Sequence, residues 1–141
     1  MCPAEDISVE TDPDRASTIL IVEDETLVRM ATAEHLRDAG YTVIEAATGE
    51  EARAVLEAGV DVSVVFSDVN MPGAIDGLAL AEWAGAQDHA PIIMLTSGVP
   101  EMLMQARKRC PNVRALLSKP YGYDDLVRRL REVLPRPDSA D

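Results

Sequence analysis

The chain has 141 residues, enough for one domain with a buried core, and 47% of them are hydrophobic. Its 25 acidic residues outnumber 13 basic ones, for a formal net charge of -12, which argues against nucleic acid as a partner because binding phosphate backbones needs a basic face. We expect a cytoplasmic protein without membrane contact and with free thiols, since the chain shows no apolar run of membrane length, no signal-peptide pattern and only two cysteines, Cys2 and Cys110.

The chain begins with a stretch that we predict to be a flexible acidic tail. Residues 1–17 carry five acidic residues against one arginine and lack a periodic apolar pattern. The last residues, 135–141, are predicted to form a second tail, because Pro135 and Pro137 stop the helix before them. The folded domain is therefore expected to span residues 18–134.

Within that domain, five short apolar runs predict buried strands, and each is followed by a helical pattern. We place the strands at residues 18–22, 41–46, 62–67, 91–95 and 112–117. The helices are predicted at residues 25–39, 48–59, from about 76, 100–109 and 123–134. Alternation of strands and helices with short connections predicts an α/β fold, a doubly wound five-stranded parallel sheet of the flavodoxin-like order 2-1-3-4-5 with helices on both faces.

The first helix has a less regular apolar stripe than the last. We predict that its buried side runs through Val28, Ala31, Thr32, His35 and Leu36. No potential ligand is spaced to join His35, so we interpret it as a packed or rim histidine.

Charged and hydroxyl residues stand where four of the predicted strands end: Glu23 and Asp24, Asp68, Thr96 and Lys119. The carboxyl ends of neighbouring parallel strands share one edge of the sheet, so we expect these side chains to converge there. Acids after a strand are also ordinary turn formers, which is the alternative for each one taken alone. Close carboxylates raise one another's pKa unless a cation intervenes, and oxygen ligands favour Mg²⁺ or Mn²⁺.

The sequence at these strand ends resembles the CheY-like receiver domain family of response regulators in bacterial two-component signalling. The resemblance covers residues 18–134. Its motifs are residues 21–25 (IVEDE), 67–72 (SDVNMP), 76–77 (DG), 95–97 (LTS) and 118–121 (SKPY).

The resemblance implies a phosphorylation site. Asp68 would accept a phosphoryl group from the phosphohistidine of a histidine kinase or phosphotransfer protein. Glu23, Asp24 and Asp68 would hold Mg²⁺ together with the main-chain carbonyl of Asn70. Asn70 and Gly98 occupy the positions that, in this family, tune how fast the phosphoryl group is lost.

The resemblance also implies a switch. Thr96 would be the switching hydroxyl, Lys119 would pair with the phosphoryl oxygens, and the bond from Lys119 to Pro120 would be cis. Many receivers carry an aromatic residue three positions before this lysine, where this chain has Leu116. The usual coupling between threonine and aromatic residue is therefore not expected here.

Because only residues 135–141 follow the last helix, we expect a stand-alone response regulator, a phosphoacceptor rather than a turnover enzyme, that signals through protein contacts. A downstream protein target would dock on its surface, and we suggest a patch at Met102, Leu103 and Met104, since methionine adapts to varied partners. The alternative is that these residues simply cover the sheet.

Two other functions remain open at this point. One is a Mg²⁺-dependent phosphohydrolase with an aspartate nucleophile. Such enzymes use a second acid two residues after the nucleophile, where this chain has Asn70, and a cap domain that encloses the substrate, which we do not expect here. The other is a degenerate receiver-like module that binds partners without being phosphorylated.

Overall fold

Five parallel strands and five helices make up residues 17–134, the part of the chain that the computed structural model describes. The strands are Thr18–Val22 (β1), Thr42–Ala46 (β2), Val64–Asp68 (β3), Ile92–Ser97 (β4) and Val113–Ser118 (β5). The helices are Thr26–Asp38 (α1), Gly49–Glu57 (α2), Gly77–Gly85 (α3), Pro100–Arg109 (α4) and Tyr123–Val133 (α5). The predicted tails, apart from residue 17, lie outside the described residues, as does Cys2.

The strand order is β2-β1-β3-β4-β5, which confirms the predicted topology. Two apolar clusters cover the two faces of this sheet. One includes Leu20, Val65 and Ile93 and is covered by α2, α3 and α4. The other includes Ile19, Val64 and Met94 and packs against α1 and α5. Since neighbouring residues of one strand enter opposite clusters, the strands read as unbroken apolar runs.

Three strands extend further toward their carboxyl ends than the apolar pattern predicted. β3 includes Asp68, β4 includes Thr96 and Ser97, and β5 includes Ser118. The ladder continues because the Val69 amide donates to the Thr96 carbonyl at 2.9 Å. Backbone pairing is indifferent to side-chain polarity, so the polar residues are held with the rigidity of the sheet.

Side-chain caps begin two of the helices. Thr48 Oγ1 accepts from the Glu51 amide at 3.0 Å, and Asp76 Oδ1 accepts from the Ala79 amide at 2.8 Å. Gly40 follows the end of α1 and has φ +103°, a left-handed conformation that glycine adopts without strain. Within residues 17–134, none of the helices has the length and apolar character needed to span a membrane.

The predicted stripe of α1 is wrong in part. Thr32 and Leu36 are buried, but Ala33 joins them, while Val28 is 38% exposed and His35 is exposed. His35 instead stacks on the ring of Tyr123 in α5, with 3.8 Å between ring centroids. The helix is rotated slightly about its axis relative to the prediction, because it packs against α5 as well as the sheet.

Candidate functional site

Asp68 is the last residue of β3 and lies beside Thr96 of β4 in the register of the sheet. The four residues before it are buried, whereas its own side chain is partly exposed. Both carboxylate oxygens are engaged: Oδ1 accepts from the Asn70 amide at 3.1 Å, and Oδ2 accepts from Lys119 Nζ at 2.5 Å. The strand thus delivers an oriented carboxylate to the carboxyl edge of the sheet.

Lys119 follows β5 and reaches back across β4 to Asp68. Its ammonium also lies 3.6 Å from Glu23 Oε1, so one cation joins carboxylates from β3 and from the end of β1. Burial alone would lower the pKa of Lys119, but the hydrogen bond to Asp68 and the two negative charges raise it above its ordinary value. The peptide bond between Lys119 and Pro120 is cis, as the resemblance implied.

Glu23 is the buried acid of the site. Its Oε2 accepts from the Glu25 amide at 3.1 Å. Burial is the main cause that raises the pKa of Glu23, and the carboxyl groups of Asp24 and Asp68 add to it, against the Glu25 hydrogen bond and the charge of Lys119. Asp24 itself is exposed. The structure therefore joins Glu23, Lys119 and Asp68 directly and leaves Asp24 at the solvent edge.

The hydroxyl of Thr96 is hydrogen-bonded to β5 and not to Asp68. Thr96 is 2% exposed, and its Oγ1 donates to the Leu117 carbonyl of β5 at 2.6 Å. Leu116 occupies the position where many receivers have an aromatic residue. It is half-buried and packs against the apolar cluster that α2, α3 and α4 cover. The threonine is thus next to Asp68 in the sheet but its hydroxyl is oriented toward the neighbouring strand.

Both Thr96 and Asp68 line a small cavity. Its lining includes Glu23, Asp68, Thr96, Thr32 and Tyr121, and its volume is about 10 Å³. This is about the space that one water molecule needs. Tyr121 was in the matched motif but had no predicted role. Its burial, which raises the pKa of its hydroxyl group, depends on contacts that the sequence pattern does not reveal.

The donors fit a hard divalent cation. Within residues 17–134, His, Cys, Asp and Glu side chains form no ready-made set of three or more around a metal position. The oxygens at this edge nevertheless belong to carboxylates and main-chain carbonyls, the ligands that Mg²⁺ and Mn²⁺ prefer, and Glu23 is a buried acid whose charge a cation would stabilise. Lys119 now supplies a positive charge between Glu23 and Asp68.

One supporting residue was missed in the sequence. Arg29 of α1 donates to the main-chain carbonyl of Glu23 at 2.9 Å and pairs with Glu45 of β2 at 3.3 Å. It ties the loop that carries the acidic pair to the edge of the sheet. No local pattern marks it, because its partners come from two other elements.

The suggested patch on α4 is not a continuous surface. Leu103 is buried and Met102 half-buried, and of the three only Met104 is exposed, at 63%.

Trp83 of α3, off the buried stripe, is covered by the Arg53 guanidinium at 4.8 Å from the ring centroid. It lines a cavity of about 470 Å³ beside the loops that precede β3 and β4, at the edge of the sheet opposite Asp68.

The family model of the response regulator receiver domain matches residues 19–131. Transcriptional regulatory protein PdtaR of Mycobacterium tuberculosis is 36% identical over 129 residues, which are 89% of this chain and 62% of PdtaR. Sensor kinase CckA of Brucella abortus is 35% identical over 130 residues, which are 91% of this chain and 14% of CckA.

A solved structure of the response regulator TrrA of Thermotoga maritima, in complex with Mg²⁺–BeF, is similar as well. It superposes with a TM-score of 0.74 at 26% identity and covers 84% of this chain and 99% of TrrA. The chain thus matches nearly all of TrrA but spans less than two thirds of PdtaR and of CckA.

Proposed function

The chain belongs to the response regulator receiver domain family, and on that premise we propose that Asp68 accepts a phosphoryl group from a histidine kinase or phosphotransfer protein in a Mg²⁺-dependent reaction. The observation that carries the proposal is the contact of Lys119 with Asp68, 2.5 Å long and made between the ends of β5 and β3. A carboxylate held by a fixed ammonium at the edge of a parallel sheet is positioned to attack phosphorus.

The proposed transfer is a single displacement at phosphorus. A carboxylate oxygen of Asp68 forms a bond to the phosphorus of a phosphohistidine, the phosphorus–nitrogen bond breaks, and the nitrogen keeps its electron pair. Lys119 stays beside the group that gains charge, which stabilises the transferred phosphoryl oxygens. Glu23, Asp24, Asp68 and the Asn70 carbonyl would hold Mg²⁺, which when bound neutralises part of that negative charge.

Thr96 supplies the proposed conformational response. In the described state its hydroxyl donates to Leu117. A phosphoryl group on Asp68 adds strong acceptor oxygens next to Thr96, its partner in the sheet register. Turning the hydroxyl to such an oxygen breaks the bond to β5. Signalling then proceeds through β4 and β5 to a protein target, with Leu116 in place of an aromatic residue.

The proposal treats the chain as a phosphoacceptor and not as a turnover enzyme. Asn70 stands two residues after Asp68, so the chain lacks the second acid that a phosphohydrolase of this type uses there. The similarity to CckA, a sensor kinase, favours a phosphotransfer partner. We also retain the cytoplasmic location, since Cys110 is a free, buried thiol.

The test is incubation with acetyl phosphate and Mg²⁺, followed by mass spectrometry of the intact protein. We expect one added phosphoryl group, absent without Mg²⁺ and absent in Asp68→Asn. Asp61→Asn removes an exposed carboxylate at the opposite edge of the sheet and should be labelled like the wild type. Labelling that survives in Asp68→Asn, or no labelling of the wild type, would contradict the proposal, and many turnovers of a phosphate ester would favour the hydrolase.

A further inference from the structure

Three residues near the acceptor meet at one sulfur atom. Asn70 Nδ2 donates to Met102 Sδ at 3.4 Å, and Ser97 Oγ approaches the same sulfur at 4.0 Å. Asn70 lies in the loop after β3, Ser97 ends β4, and Met102 is in the first turns of α4. The thioether therefore connects the loop of the acceptor with the strand that carries Thr96.

The hydrogen bond from Asn70 Nδ2 to Met102 Sδ limits the rotation of the Asn70 side chain. The main-chain amide of Asn70 already donates to Asp68 Oδ1 at 3.1 Å, so its backbone is fixed at the acceptor. Its side chain is exposed and would otherwise be free to rotate. Met102 can act as an anchor because it is half-buried and packs against the apolar cluster, while its sulfur is a weak acceptor.

We propose that Met102 is a positioning residue whose sulfur holds the Asn70 carboxamide beside Asp68 and thereby slows the hydrolytic loss of the phosphoryl group. The inference rests on the proposed phosphorylation of Asp68. It adds a residue on α4, remote in sequence from the acceptor, to the set that determines the lifetime of the signal.

The step in question is attack by water. A water oxygen forms a bond to phosphorus, the bond from phosphorus to the Asp68 oxygen breaks, and the carboxylate leaves with the electron pair. The products are inorganic phosphate, free Asp68 and a proton released to solvent. Asn70 is the exposed side chain two residues from the acceptor, so its position affects how water reaches phosphorus. A carboxamide held on sulfur is not free to swing over the site and orient that water.

The experiment compares Met102→Leu, which keeps the apolar volume but removes the acceptor, with Met104→Leu on the same helix. Met104 is 63% exposed, so its substitution controls for a change of Met to Leu in α4. Each protein is labelled on Asp68 and the loss of the phosphoryl group is followed over time. We expect loss about three- to tenfold faster in Met102→Leu, the range that one modest hydrogen bond allows, and an unchanged rate in Met104→Leu.

A double-mutant cycle with Asn70→Ala separates positioning from a general loosening of α4. If Met102 acts through Asn70, adding Met102→Leu to Asn70→Ala should leave the rate within twofold. An acceleration that persists undiminished in that background would overturn the proposal, as would an unchanged or slower loss in Met102→Leu alone.

A second readout does not depend on phosphorylation. The side-chain amide signals of Asn70 in nuclear magnetic resonance spectra should shift in unphosphorylated Met102→Leu and stay in place in Met104→Leu. If the wild type cannot be labelled on Asp68, the proposed function fails while this shift still tests the contact. If labelling works but the amide signals do not respond, the inference about Met102 fails alone.

Discussion

Gly77 is the residue at which a single added methyl group should disturb Asp68 most. A Cβ at this position would lie 2.0 Å from the Asp68 carbonyl oxygen and 2.9 Å from Val69 Cα. An ordinary contact begins near 3.4 Å, so the two backbones must separate by 1.4 Å, the difference between 3.4 and 2.0 Å. Both obstructing atoms belong to the backbone, and neither can rotate aside.

We therefore expect Gly77→Ala to lower the free energy of unfolding by about 3 kcal/mol, the upper end of the cost of one extra carbon in a packed interior. That value corresponds to a change of more than about a hundredfold in the folding equilibrium constant. The strain is also expected to shift Asp68 relative to Lys119, so the fraction labelled by acetyl phosphate should fall even where the variant is folded.

The assay is urea unfolding followed by the fluorescence of Trp83, the only tryptophan of the chain, with labelling measured in parallel at low temperature. Gly122→Ala is the matched control, because a Cβ there meets its nearest atom at 3.8 Å. Gly122 is the N-cap of α5, a position where alanine is less favourable than glycine, so this control should lower the free energy of unfolding by about 1 kcal/mol or less. If Gly77→Ala were as stable as Gly122→Ala, the argument from backbone contact would be refuted.

Three further predictions follow from burial. Thr96→Val removes the hydroxyl that donates to the Leu117 carbonyl at 2.6 Å, so the free energy of unfolding measured in urea should fall by about 1–2 kcal/mol. An equal fall in the control Ser118→Ala would contradict this assignment. In a Cys2→Ser protein, a disulfide reagent should modify Cys110 only after unfolding, because burial raises the pKa of that thiol and hides it; rapid reaction of the folded protein would contradict this. Burial also raises the pKa of Tyr41, so this residue ionises first in the unfolded state. Its contribution to the free energy of unfolding should be constant below about pH 9 and fall as the pH rises through about 10. Tyr41→Phe should reduce that alkaline loss in urea unfolding, and an equal loss in both proteins would contradict the assignment.

The order of elements was accessible to sequence analysis because each depends on local patterns. Apolar runs predicted the strands, and the side chains of Thr48 and Asp76 cap helices through residues only three positions away. The prediction of the buried face of α1 was wrong at Val28 and His35, which are exposed. Packing against a partner helix determines that face, and local sequence patterns do not include the partner.

The candidate site was predictable only as a set of residues. The rule that parallel strands share a carboxyl edge is enough to place Glu23, Asp68, Thr96 and Lys119 near one another. It did not indicate that Lys119 would bind Asp68 more closely than Glu23, or that Thr96 would donate to Leu117. Those choices depend on rotamers and on burial around each group.

The sequence by itself determined which chemistry is present: the strand-and-helix alternation, the parallel sheet and the acids, hydroxyl and lysine at its carboxyl edge. Only the tertiary structure decided how those groups pair, and which distant residues restrain them, such as Arg29 on Glu23 and Met102 on Asn70. The physical reason is the distance along the chain between the residues that interact. Strand and helix patterns arise from neighbours along the chain, whereas an ion pair or a sulfur contact between residues far apart exists only once packing has fixed both side chains.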